Sequence, residues 1–92
     1  MTVTVEYGAQ LRDAAGTAAE RLQVEGACDL RRLLALAADR HGRAFRDLVL
    51  DGAGMPRPSN MVLLGGQLLR WDSSRPLQDG DVVAILSPIA GG

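Results

Sequence analysis

Apolar and polar residues alternate from the start of the chain. Val3, Val5 and Tyr7 interleave with Thr2, Thr4 and Glu6. A period of two in β-favouring residues predicts a strand with one buried face. Residues 8–16 carry turn signals around Leu11, an apolar anchor, and read as a loop. Residues 21–24 alternate again, with Leu22 and Val24 on one side, so the two segments predict an N-terminal hairpin. Asp29 then stands where a helix N-cap belongs. Leu30, Leu33, Leu34, Ala37, Ala38 and His41 follow at helical spacing and make one stripe, with Arg31, Arg32, Asp39 and Arg40 mostly on the other side. Gly42 is placed to close this helix in a left-handed conformation. His41 faces the local dipole at the helix end, and the sequence offers it no partner as a ligand or base.

The second half is more broken. Phe45, Leu48 and Val49 predict a further helical turn. The run DGAGMPRPSN is a loop whose glycines and prolines suit a mobile surface segment. Residues 60–64 form a short apolar strand. Gly65-Gly66 supplies the two positive-φ positions of a type I′ turn, and residues 67–71 return as its partner. A phosphate loop is the other reading of the two glycines, but there is no Walker pattern and no helix start. After a turn at residues 76–81, residues 82–86 are all apolar, which predicts a buried central strand. The order of elements is hairpin, helix, short hairpin, strand. With the first and last strands parallel and the helix crossing the sheet, this is an α+β, β-grasp (ubiquitin-like) mixed sheet. The Leu and Val residues of the second hairpin belong to the core on one face; any exposed on the other would make a docking patch. Arg57, Arg70, Trp71 and Arg75 are either a polar-aromatic rim for a partner or a solvated face.

Ninety-two residues allow one core. A net charge of -1 argues against a dedicated nucleic-acid binder. There is no apolar run of membrane-spanning length and no signal-peptide pattern, so a soluble, cytoplasmic protein is expected. Cys28 is the single cysteine, read as a small buried hydrophobe before the helix, with a reactive thiol as the alternative. One cysteine excludes an internal disulfide and a cysteine-ligated metal cluster. All ten basic residues are arginine.

The chain closes on SPIAGG. The stretch PLQDGDVVAILSPIAGG resembles the C-terminus of the MoaD/ThiS family of ubiquitin-like sulfur carriers, which includes the small subunit of molybdopterin synthase. Leu77, the Asp79-Gly80-Asp81 turn, the apolar strand, Pro88 and Gly91-Gly92 carry the resemblance. Two features depart from the family's pattern: Gly65-Gly66 stands where relatives often have asparagine-glycine, and the loop at residues 52–59 lengthens the chain. Longer relatives serve other pathways, such as cysteine formation.

The resemblance implies a β-grasp domain over residues 1–86 and a flexible tail over residues 87–92. It implies that a ubiquitin-activating-type adenylyltransferase uses ATP to adenylate Gly92. A persulfide donor then leaves a thiocarboxylate there, and an accepting enzyme, such as a molybdopterin synthase large subunit or a cysteine synthase, draws the sulfur off. Pro88, Ile89, Ala90 and Gly91 would thread into the partner's active site. The chain itself would be a co-substrate with no catalytic residue, no metal and no permanently bound cofactor. The residues suit this chemistry. Gly92 has no Cβ to crowd attack at its carbonyl, Gly91 keeps the arm thin, and Pro88 weakens pairing to the sheet. Two other functions are weighed: a covalent modifier whose Gly92 ends on a partner's lysine, and a non-covalent interaction domain with an incidental tail. An enzyme in its own right lacks any nucleophile–base pair, metal cluster or dinucleotide fingerprint.

Overall fold

The computed structural model describes residues 1–87. Five strands form one mixed sheet in the order β2-β1-β5-β3-β4. Strand β1 (Thr2–Gly8) buries Val3, Val5 and Tyr7, as its alternation predicts. It pairs antiparallel with β2 (Ala19–Gln23) and parallel with β5 (Val82–Leu86), which gives the β-grasp fold.

The segment between β1 and β2 is a helix rather than a loop. Helix α1 (Gln10–Ala15) is built from good helix formers and buries Leu11 completely. The turn residues only bracket it: Gly16 closes it in a left-handed conformation, φ 74° and ψ 13°.

Helix α2 (Leu30–His41) packs its Leu30, Leu33, Leu34, Ala37 and Ala38 stripe on the sheet. The Asp29 carboxylate accepts the Arg32 N–H at 3.0 Å, which caps it. Gly42 has a positive φ of 90°, but ψ is −171°, so it is not the left-handed cap expected. It is a corner instead. Its N–H ends α2 on the Ala38 carbonyl at 2.9 Å, and its own carbonyl accepts the Arg46 N–H of α3 (Arg43–Val49) at 3.0 Å. Phe45 and Val49 of α3 complete the core.

The loop after α3 carries hydrogen bonds of its own. The Asp51 carboxylate accepts the N–H groups of Ala53 at 2.9 Å and Met55 at 3.0 Å. Those bonds, Met55's first, hold its pKa below the ordinary carboxylate value. Asn60 Nδ2 donates to the Leu48 carbonyl at 2.8 Å. The second hairpin joins β3 (Met61–Leu64) to β4 (Gln67–Leu69) across Gly65 and Gly66, whose φ values of 57° and 83° are those a type I′ turn requires.

Strand β5 lies at the centre of the sheet, but it is buried on one face only. Val83 and Ile85 are fully buried; Val82 and Leu86 are exposed. The helices cover a single face of this sheet, so the residues between the buried ones face outward however apolar they are.

Candidate functional site

The predicted reactive residues Gly92, Gly91, Ala90, Ile89 and Pro88 lie outside the described residues. What the structure shows is the sheet end leading to them and the surface beside it.

The open face of the sheet is divided. On β1 and β2 it carries Thr2, Thr4, Glu6, Arg21 and Gln23. On β5, β3 and β4 it carries Val82, Ala84, Leu86, Met61, Leu63 and Leu68. Register makes the apolar half continuous: Leu86 sits opposite Met61, Ala84 opposite Leu63, and Leu63 opposite Leu68. Leu68 is 73% exposed and Met61 50%. Across the hairpin, Val62, Leu64 and Leu69 turn to the core. An apolar surface this well ordered, left open by the described residues, has the character of a protein-docking face. It runs up to Leu86, directly before the arm.

The end of β5 is tight. Gly8 stands opposite Leu86, and a Cβ on Gly8 would lie 2.3 Å from Leu86 Cδ2. Ala9, the next residue, holds φ 50° and ψ −125°, the one positive φ among the described non-glycine residues. Ser87 is 8% exposed, and its Oγ has no hydrogen-bond partner among the described residues.

A second cluster joins β1, β2 and α2. Glu20 of β2 stands opposite Val5, so its side chain points inward, and it is only 10% exposed. Its carboxylate accepts from the Tyr7 hydroxyl at 2.5 Å, from Arg40 Nε at 2.9 Å and from His41 Nε2. The His41 ring also meets Phe45, with centroids 5.2 Å apart, and Tyr7, edge-on at 5.9 Å. Burial works to raise the Glu20 pKa, but the hydrogen bonds from His41 and Tyr7 and the neighbouring positive charges outweigh it and leave the pKa lowered. Burial, with the bond to Glu20, pushes the Tyr7 phenol well above its ordinary value, so Tyr7 acts as a donor. The cluster clamps edge strand β2 to the helix. His41 therefore has the partner that helix periodicity alone did not reveal. The signal was present in β2, where Glu20 and Leu22 share a face: an inward carboxylate there needs donors.

Cys28 is buried, and burial raises its thiol pKa, which fits the packing reading. Two of the three guanidinium groups of the expected rim are engaged separately. Arg70 pairs with Asp72 at 2.8 Å, and Arg57 Nε donates to the Asp47 carbonyl at 2.7 Å. Among the described residues, no group of three His, Cys, Asp or Glu side chains is placed to hold a metal, and no helix is long and apolar enough to cross a membrane.

Comparison with known proteins agrees with this architecture. The sequence model of the ThiS family matches residues 5–92. Curated protein sequences return no match. Among solved structures, SAMP1 from Haloferax volcanii superposes with a TM-score of 0.86 at 23% identity over all of both chains. A protein described as a putative molybdopterin converting factor subunit 1 from Pyrococcus furiosus gives 0.75 at 27% identity, covering 97% of this chain and 99% of that one. Subunit 1 of the Helicobacter pylori molybdopterin-converting factor, solved in complex with subunit 2, gives 0.61 at 22% identity over the whole of both chains. With a family match running from β1 through Gly92, the chain belongs to the ThiS family of ubiquitin-like sulfur carriers, small proteins that are carriers rather than enzymes.

Proposed function

We propose that this chain carries sulfur on the carboxylate of Gly92. The observation that supports this best is the family match, which extends through the terminal Gly91-Gly92. A free carboxylate is a poor electrophile. In the proposed cycle a Gly92 oxygen attacks the α-phosphate of ATP on a ubiquitin-activating-type enzyme and expels pyrophosphate. A persulfide sulfur then attacks the acyl carbon and expels AMP. A thiol cleaves the resulting acyl disulfide, and the thiocarboxylate remains. The chain supplies no acid, base or metal. It supplies Gly92, which has no Cβ beside its carbonyl, residues 88–92 as the segment that enters the partner, and the apolar half-face as the surface on which partners dock. ATP is bound by the activating enzyme.

The sulfur acceptor is proposed to be a biosynthetic enzyme. A molybdopterin synthase large subunit is favoured: the Pyrococcus relative is described as a putative molybdopterin converting factor subunit 1, and the Helicobacter relative was solved in complex with subunit 2 of its molybdopterin-converting factor. A cysteine synthase is the other candidate, through the longer members of the family.

The test is intact mass spectrometry after incubation with the activating enzyme, ATP and a persulfide donor. Replacement of one terminal oxygen by sulfur is the expected result. An unchanged mass with an activating enzyme competent on another carrier would refute the proposal. The Haloferax relative is also described as a small archaeal modifier protein, so the same experiment is run with cell extract. Gly92 found on lysines of other proteins would make the chain a modifier.

A further inference from the structure

The strand end that leads into the arm carries two energetic costs that the core does not require. Ser87 is 8% exposed, and its Oγ has no partner among the described residues. A serine at a strand end ordinarily bonds a nearby backbone group, and a sealed hydroxyl that bonds nothing destabilises the position it occupies. One register step beyond the Gly8–Leu86 pair, Ala9 holds a conformation that its Cβ disfavours. That strain is not offset locally, because Ala9 gives α1 no side-chain cap. Costs of this kind cluster at active sites, ligand clamps and switch regions. Leu86, one peptide bond before Ser87, lies on the apolar half-face, so a partner seated there touches the residue next to the unpaired hydroxyl.

We propose that Ser87 is a positioning residue for the reaction at Gly92. In the free chain the root of the arm rests with its hydroxyl unpaired. When the activating enzyme seats on the apolar half-face, the root shifts and the hydroxyl gains its hydrogen-bond partner. An interaction made only in the engaged state favours reaction without tightening the resting encounter. This rests on the carrier reading of Gly92.

The test compares the full chain with Ser87→Ala and Ser87→Thr. Denaturant unfolding is measured on each, together with ATP–pyrophosphate exchange catalysed by the activating enzyme of the same organism. Ser87→Ala is expected to be at least as stable as the parent, because it removes a hydroxyl that bonds nothing. Its exchange rate is expected to fall about fivefold to tenfold, the worth of one hydrogen bond, with the loss in kcat rather than KM. Ser87→Thr keeps the hydroxyl and is expected to exchange at close to the parent rate. A purely structural serine gives a different result: Ser87→Ala would be less stable and would react normally once folded. Lower stability of Ser87→Ala, an unchanged kcat, or a loss confined to KM each overturns the proposal. If the parent chain supports exchange and Ser87→Ala matches it, only this inference falls. If the parent supports none, the carrier reading fails and takes this inference with it.

Discussion

Glu20→Gln is the sharpest probe of how this small sheet is held to its helix. The substitution keeps the shape of the side chain and turns one acceptor oxygen into a donor amide. Three donors face the carboxylate: the Tyr7 hydroxyl, His41 Nε2 and Arg40 Nε. The Tyr7 and His41 bonds share Oε2, and Arg40 alone faces Oε1. The new NH2 group therefore turns toward Arg40, which is 60% exposed and can swing into solvent at little cost. What remains is loss of charge from the two inner bonds. A hydrogen bond to a charged group contributes about 1.5–3 kcal/mol and a neutral one about 0.5–1.5, so the variant should lose about 2 kcal/mol. In a domain of this size that lowers Tm by about 10 °C.

The pH dependence follows from the direction of the shift. Folding lowers the Glu20 pKa, so the stability it contributes is complete above the unfolded value of about 4.3 and is lost as pH falls through the lower folded value. Unfolding by urea at several pH values, on parent and variant, measures the gap. It should not shrink from neutral pH down to about 4.3 and should close only below that. A gap under about 0.5 kcal/mol at neutral pH, or one already closing between pH 7 and 5, would refute the clamp.

Three further outcomes are expected. Leu68→Asp, at the most exposed apolar position of the half-face, should change folding stability by no more than about 0.5 kcal/mol and weaken association with the activating enzyme about tenfold or more, read by titration calorimetry. Gly42→Ala should cost about 1–3 kcal/mol by urea unfolding; a Cβ there meets no atom within 4 Å, so the whole cost is that of holding an alanine at φ 90°. With ATP and activating enzyme but no sulfur donor, the carrier should form no ladder on a denaturing reducing gel, because its ten basic residues are all arginines, whose guanidinium groups stay protonated and do not accept acyl groups; peptide maps placing Gly92 on an internal side chain of another copy would overturn this.

Much of the fold was legible because the sequence states it twice. In β1 the period of two coincides with β-favouring residues, and in α2 the apolar stripe starts at its own cap, Asp29. The Gly65-Gly66 turn fixes the register of the second hairpin by itself. Helix α1 was hidden because the two glycines beside it signal turns more strongly than six residues signal a helix. The outward face of β5 was hidden for another reason. Five apolar residues in a row do not say whether the second face meets a helix of the same chain or another protein. Glu20 and His41 stand on different elements 21 residues apart, and only the packing of α2 over β2 brings them together. The proposed reactive end was read from the motif around Gly91-Gly92 and lies outside the described residues; the structure contributes the apolar face that runs up to Leu86.

The pairing of β1 with β5 has a mechanical consequence. The two strands run parallel and side by side, from Thr4 opposite Val82 to Gly8 opposite Leu86. A force that draws the arm away while the first strand is held acts along both strands in opposite directions. It loads the hydrogen bonds of the pair in shear, all at once, where a hairpin pulled at its open end would yield one bond at a time. The strand that bears the arm is thus anchored in the direction in which a partner would tug it. If the proposed cycle holds, the chain could be drawn repeatedly into its partners by that end without being unravelled.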